Sequence, residues 1–421
     1  LLVVGAVIAL CGAGVAVAVA RRDSGGVVDA AFVQGAPERD AALQALLDRR
    51  AKAVKAHDKT AFMADVDPID AAFVRKQQQE YDNLAALPLT DFRYTLEPSR
   101  RFDELVDKRL RERFPMFVEG VGVTVLYQIE GVDTAGVAAP WVPAFGLSGG
   151  RWLLVAELSD KSLPLGVGGQ PWDAGSIKVV RSDRVTVVLS ADDTNRADRL
   201  LRMAEEALNR VLAVRRTDWT GKIFMTAVQE RRIFDTYFAD SPDRVGQVAA
   251  IAVPYYAKVP DWSRDPTYAA TRVVFNPEQL SADENELFHD LTHEFTHAAM
   301  GPLTTRYTPS WLVEGFAEYV PYKTEDVPSS WLHRVLNGVT VDELPDDQTF
   351  YGEPRNYVTA WLACRLIAEK YGEGKLIKLY SWFKNGETPS DAIGQVLGTS
   401  EESFTAQWRQ YVGQAKTSTL P

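Results

Sequence analysis

The sequence predicts an α+β protein in two parts, and three patterns carry that expectation. Residues 39–160 run helices first and strands after, residues 175–415 run strands first and helices after, and an uncharged run, Leu1–Ala20, precedes both. Segregated helices and strands build α+β layers rather than a doubly wound sheet. The expected fold class is an N-terminal apolar helix, an α+β cone-like part, and a part with a mixed sheet and a mainly helical C-terminal end. A chain of 421 residues has room for about two or three domains.

Residues 1–20 are long enough to cross a bilayer as a helix, and Arg21-Arg22 bounds them. The same run reads as a secretory signal peptide, because Ala18-Val19-Ala20 supplies small residues for cleavage. Arg21-Arg22 taken alone favours a cytoplasmic C-terminal side. Basic residues upstream of Leu1 would reverse this, and the expectation is a single-pass anchor with the rest of the chain outside the cell, or secreted if the segment is cleaved. Residues 21–38, rich in Gly and small or polar residues, read as a linker.

Helices are expected over Asp40–Ala56, with Ala42, Leu43, Leu46, Leu47 and Val54 on one stripe, and over Phe73–Leu84. Strands follow at Phe92–Leu96, Gly120–Ile129 and Trp152–Leu158. Beyond a Pro/Gly-rich stretch, Ser162–Gly175, the pattern gives a strand run at Val179–Leu189, a helix at Asn195–Val214, and strands at Ile223–Ala227, Ala249–Val253 and Thr271–Phe275. From Ser281 onward it is mostly helical, ending in Lys375–Lys384, Ser390–Val396 and Glu401–Val412.

Lys+Arg is 46 against Asp+Glu 57, a net charge of -11, with no basic block, so the residues predict no nucleic-acid partner. Two cysteines, Cys11 and Cys364, exclude a disulfide scaffold and a cysteine zinc finger.

The chemistry is concentrated at His293-Glu294-Phe295-Thr296-His297, an H-E-x-x-H motif in a helical pattern that Ser281 and Glu284 begin as a capping box and Gly301-Pro302 stops. Residues i and i+4 lie about 40° apart around a helix and roughly 6 Å along it. Both imidazoles can therefore reach one Zn²⁺ at about 2.0–2.1 Å, while Glu294 reaches a water without ligating. A second helix, opened by Thr308-Pro309 and closed by Pro321, carries Trp311-Leu312-Val313-Glu314-Gly315-Phe316-Ala317-Glu318-Tyr319. Folded back at Gly301-Pro302, it offers Glu314 as third ligand and Glu318, one turn on, as the partner that orients a ligating imidazole. The reverse, Glu318 as ligand, stays open.

HEFTH followed by WLVEGFAEY resembles the gluzincin metallopeptidases of the peptidase-MA superfamily, over about 175–415 and most specifically between 289 and 319. The resemblance implies a zincin-type fold, one Zn²⁺ per chain held by His293, His297 and Glu314, Glu294 as general base, and a peptide or protein substrate. The gap of sixteen residues between His297 and Glu314 is a little shorter than in the best-known members, and the G-A-M-E-N motif of aminopeptidases is absent, which weakens an aminopeptidase reading and leaves endo- against exopeptidase open. The family also implies an oxyanion-stabilising side chain; Tyr357 is the first candidate, with a core role equally open to it, and Tyr351 the second. Thr271–Phe275 reads as the edge strand that pairs with substrate or as an ordinary interior strand, and Val320–Thr349 as a cover over the cleft. His57 reads as an isolated surface-helix histidine, His333 as structural, and His289 as a surface residue that could also line the cleft. The first part, through ALLDRRAKAVKAHDKTAFMADVDP, YDNLAALPL, VTVLYQIEGVD and GGRWLLVAEL, resembles the nuclear-transport-factor-2-like (SnoaL-type) fold. The expected function is a membrane-anchored zinc peptidase. Two alternatives share the motif, an inactive scaffold of peptidase fold and a zinc amidase on a non-peptide bond; Glu294 argues against the scaffold, which needs no general base.

Overall fold

A computed structural model describes residues 36–101, 108–118, 120–157, 169–238, 248–257, 267–323 and 327–417. The expected N-terminal helix, 1–20, lies outside the described residues, as does most of the linker. Its last residues, 36–38, already belong to the first helix. No helix among the described residues is long and apolar enough to cross a membrane.

The first part opens with three helices, α1 (Ala36–Lys55), α2 (Lys59–Met63) and α3 (Ala71–Ala86). Asp58 caps α2 and Asp70 caps α3, each accepting from backbone N–H groups of the first turn. The strands are antiparallel as expected, but they divide between two sheets instead of forming one. β1 (Leu89–Arg101), β3 (Val121–Ile129) and β4 (Val137–Trp141) make the first, ordered β1-β3-β4; β2 (Phe117–Val118), β5 (Pro143–Ser148) and β6 (Arg151–Glu157) make the second, ordered β2-β5-β6. A short helix, α4 (Lys108–Arg113), precedes β2. Strands β4 and β5 escape the sequence pattern because proline and small residues fill them. Pro140 is tolerated because β4 is a sheet edge, and Pro143 because it opens β5.

The second part is built on a five-stranded mixed sheet of order β10-β11-β9-β8-β7. The single run expected over Val179–Leu189 is a hairpin, β7 (Ile177–Arg181) and β8 (Val185–Ser190), in which Ser182 N donates to Val185 O to close the turn. Helix α5 (Thr194–Val214) then crosses to β9 (Ile223–Ala227), which lies parallel to β8. After α6 (Arg231–Asp235) come β10 (Ala250–Tyr256) and β11 (Tyr268–Phe275), antiparallel to each other. The edge is β10, and Thr271–Phe275 is interior, paired on one side with β10 and on the other with β9. Pro254 in β10 suits an edge, where a missing N–H need not break a ladder.

Both faces of this sheet are buried, and residues alternate between them with period two. Val185, Val187, Leu189, Ile223, Met225, Val273 and Phe275 face a cluster shared with α5 and the C-terminal helices. Val188, Phe224, Ile251, Val253 and Val274 face a cluster containing Leu43, Leu47, Phe92, Val125 and Trp172 of the first part. The two clusters lie on opposite faces of the sheet, and the second joins the parts with no solvated boundary between them.

One buried ion pair fastens the two parts. Arg272 on β11 donates to both carboxylate oxygens of Asp133, in the turn after β3, at 2.5 and 2.7 Å. Asp133 also accepts from Ile129 N at 2.7 Å, and the neighbouring Thr134 donates through N and Oγ1 to Ala269 O. The guanidinium lies over the rings of Phe224, Tyr255 and Tyr127 at 5.1, 5.4 and 5.7 Å.

The helical end comprises α7 (Glu284–Met300), α8 (Ser310–Tyr322), α9 (Ser329–Leu336), α10 (Arg355–Tyr371), α11 (Glu373–Tyr380), α12 (Pro389–Leu397) and α13 (Glu401–Thr417), close to the expected bounds.

Candidate metal centre

Helix α7 does not start at a Ser281 capping box. Ser281 ends a separate turn, Pro277–Ser281, and the cap is Asp283, whose side chain accepts from Asn285 N. From Leu291 to Met300 every residue of α7 is buried. Its two threonines are accommodated by bonding back to their own helix, Thr292 to Phe288 O and Thr296 to Thr292 O. Helix α8 begins at Ser310, whose N–H is capped from a distance by Asp347, and Thr308 instead accepts from Thr305 N. Pro321 lies in the last turn of α8.

Gly315 sets how closely α8 meets α10. A Cβ there would run into the Ala360 carbonyl and stand 3.0 Å from Cys364 Sγ. Gly315→Ala is expected to cost about 1–3 kcal/mol through overpacking. Because Glu314 precedes it, the variant should also lose zinc affinity. Urea denaturation with metal analysis checks both, and an unchanged midpoint would contradict the close approach.

The fold brings His293, His297 and Glu314 to one buried point. His293 Nε2 and His297 Nε2 are 3.0 Å apart, and Glu314 Oε2 is 3.5 and 3.4 Å from them. Glu314 Oε2 is buried and hydrogen-bonded to neither. A tetrahedral ion with bonds of about 2.0–2.1 Å spaces its ligand atoms by about 3.3–3.4 Å. The three atoms could hold such an ion.

Glu318 Oε1 lies 3.3 Å from His293 Nδ1, on the far side of the ring from Nε2, and His289, His293 and Glu318 form a second group close enough to hold an ion. Tyr351 donates to Glu314 Oε1 at 3.2 Å, so it holds a candidate ligand, a contact its spacing in sequence did not suggest. Tyr357 is buried in the first turn of α10, its ring edge-on to Phe350, the neighbour of Tyr351. His289 is not the surface residue expected. Its Nε2 is 3.0 Å from Glu318 Oε2, and its ring packs on Tyr322. The visible signal was its position one turn before His293. His57 lies in the turn between α1 and α2 and His333 on α9, and neither belongs to this cluster. A separate cavity of about 510 Å³, lined by Thr134, Trp219, Lys222 and Tyr268, reaches Ala298 and Pro302 at the end of α7 but none of these side chains.

Glu294 is fully buried, and neither carboxylate oxygen has a hydrogen-bond partner. Burial pushes its pKa up to about 8, against the partial counter-pull of His293. Burial works to lower the His293 pKa, but Glu318 and Glu314 outweigh it and hold the ring well above the ordinary histidine range. For His297 burial prevails and the pKa falls. Burial opposes ionisation of Glu314 and Glu318 as well, and the histidines overcome it, so both carboxyls are lowered.

A pH dependence follows. With its pKa raised, His293 keeps its second ring proton to higher pH than an ordinary histidine, and ligation through Nε2 must displace a proton there. Zinc affinity should therefore rise with pH through neutrality, by up to about tenfold per unit for one proton released. Chelator competition between about pH 6 and 8 measures it; a flat profile would contradict the assignment.

No protein-family model matches the chain, and no curated protein matches it. Two solved structures of an M1 zinc metallopeptidase from Deinococcus radiodurans, one of them a point mutant, are similar to it. They share 12% and 13% identity at TM-scores of 0.35 and 0.34, over 78% and 79% of this chain. The chain spans 65% and 63% of the length of those structures. At such values the assignment rests on the geometry of the site itself.

Proposed function

We propose that the chain is a zinc-dependent peptidase that hydrolyses peptide bonds with Glu294 as general base. One observation carries this reading: three lone-pair atoms, His293 Nε2, His297 Nε2 and Glu314 Oε2, converge in a buried site beside a carboxylate without a partner. A buried carboxylate left unpaired is costly, and a role in proton transfer accounts for its retention. That favours an enzyme over an inactive scaffold.

A zinc ion, when bound, supplies Lewis acidity toward the scissile carbonyl and lowers the pKa of water. His293, His297 and Glu314 hold it; Glu318 keeps the His293 proton on Nδ1 and Tyr351 keeps Glu314 in place. Glu294 accepts the proton of the attacking water and delivers it to the leaving amine. Tyr357 donates a hydrogen bond to the developing oxyanion. Residues 175–415 form the catalytic part, resting on 39–160, and residues 1–20 anchor the chain with that part outside the cell, or are cleaved to secrete it.

The test is elemental analysis of protein beginning after Arg22, beside His293→Ala, followed by a peptide library. About one zinc per chain, lost in the variant, with peptide cleavage is the expected result. Zinc without cleavage of any peptide favours an amidase or a scaffold, and no zinc in folded protein removes the reading.

A further inference from the structure

Helices α7 and α8 run antiparallel, and their facing residues recur once per turn on each. Helix α7 presents His289, His293 and His297; α8 presents Tyr322, Glu318 and Glu314 in the opposite order. The contacts alternate along this ladder. Tyr322 packs on His289 with ring centroids 4.6 Å apart, and His289 Nε2 meets Glu318 Oε2 at 3.0 Å. Glu318 Oε1 meets His293 Nδ1 at 3.3 Å, and His293 and His297 converge on Glu314. The outer end is set in turn by Trp361 and Trp331, whose rings lie 4.7 and 5.9 Å from Tyr322.

We propose that His289 is a positioning residue of the metal centre: it holds Glu318 by its second oxygen and thereby fixes the orientation of His293. The inference rests on the metal reading above and extends it by one side chain. Glu318 reaches across from the other helix, and a single contact to His293 would leave its carboxylate free to rotate. The second contact removes that freedom. Its source is on the same helix as the ligand, one turn earlier, so anchor and ligand keep their spacing. His289, His293 and Glu318 also lie close enough together for an ion of their own, and the zinc stoichiometry measured below separates that role from positioning.

The experiment compares zinc dissociation constants, by chelator competition, for the full chain, His289→Leu, His289→Gln and Glu318→Gln, and for His289→Leu in the Glu318→Gln background. Loss of an outer partner of a metal ligand weakens binding by about 10–100-fold, and His289, acting through Glu318, should reach the lower end, about tenfold. His289→Gln, which keeps an N–H donor, should recover most of it. In the Glu318→Gln background the leucine should add almost nothing, because the two act in series. A merely structural histidine would lower the melting temperature and leave the constant unmoved, and that result overturns the proposal. Equal losses in both backgrounds overturn it as well. A second equivalent of zinc that disappears in His289→Leu would make His289 a ligand and also refute it. Wild-type protein that binds no zinc overturns the metal reading and this inference with it, whereas zinc-bound wild type with an unchanged leucine variant overturns this inference alone.

Discussion

Glu294→Gln is expected to bind zinc as wild type does and to lose peptide hydrolysis by about 10²–10⁴-fold, the usual contribution of a general base. Glutamine keeps the size of the side chain and its place on the buried face of α7, but it cannot accept a proton at neutral pH. The change also removes a buried carboxylate with no partner, so the variant should be no less stable than wild type and can be more so. Activity and stability are thus expected to move in opposite directions, the signature of a residue retained for function at a structural cost. Metal analysis, steady-state kinetics and urea denaturation on one preparation give all three readouts. Retained hydrolysis would falsify the base assignment, and a large loss of stability would show that Glu294 has a structural partner.

The second large effect is on stability. Asp133→Ala or Arg272→Ala should each cost about 3–5 kcal/mol, because each strands a buried charge. Both side chains are almost wholly buried, and the carboxylate also serves Ile129 N. Replacing the two together, Asp133→Leu with Arg272→Met, should cost much less than either single change, since an apolar pair of similar volume leaves no charge unpaired. Chemical denaturation of the four proteins measures these differences. Single variants within about 1 kcal/mol of wild type would mean that water reaches the pair.

What was legible in the sequence was what a helix determines locally. His293 and His297 share a face because of their spacing, and Glu314 is presented by a helix whose start and stop are punctuated by proline. Glu318 lies on the same face as Glu314 for the same reason, one turn on. What was not legible depended on residues distant in the chain. His289 is seen as a surface residue until Glu318 is laid against it, 29 positions on. The hydroxyl of Tyr351 finds Glu314 only once α8 and the turn Phe350–Gly352 are packed together. Strand order is the same kind of property. Strands β9, β10 and β11 are each visible in their own residues, but parallel pairing of β11 with β9 put Thr271–Phe275 inside the sheet and left β10 at its margin. Pro254 was the available clue. The hairpin Ile177–Arg181 and Val185–Ser190 was hidden by a short polar turn inside an apolar run.

The sheet that is dry on both sides has a consequence for how this chain can vary over time. A catalytic part with a wet underside can be copied, fused and traded between genes as a self-sufficient cassette. Here Val188, Phe224, Ile251 and Val274 would be laid bare by such a transfer. The helices and strands before residue 160 therefore cannot drift freely as an accessory would; their inward-facing residues must change in step with the far face of β8, β9, β10 and β11. Substitutions on that shared surface should arise in compensating pairs, one from each end of the chain.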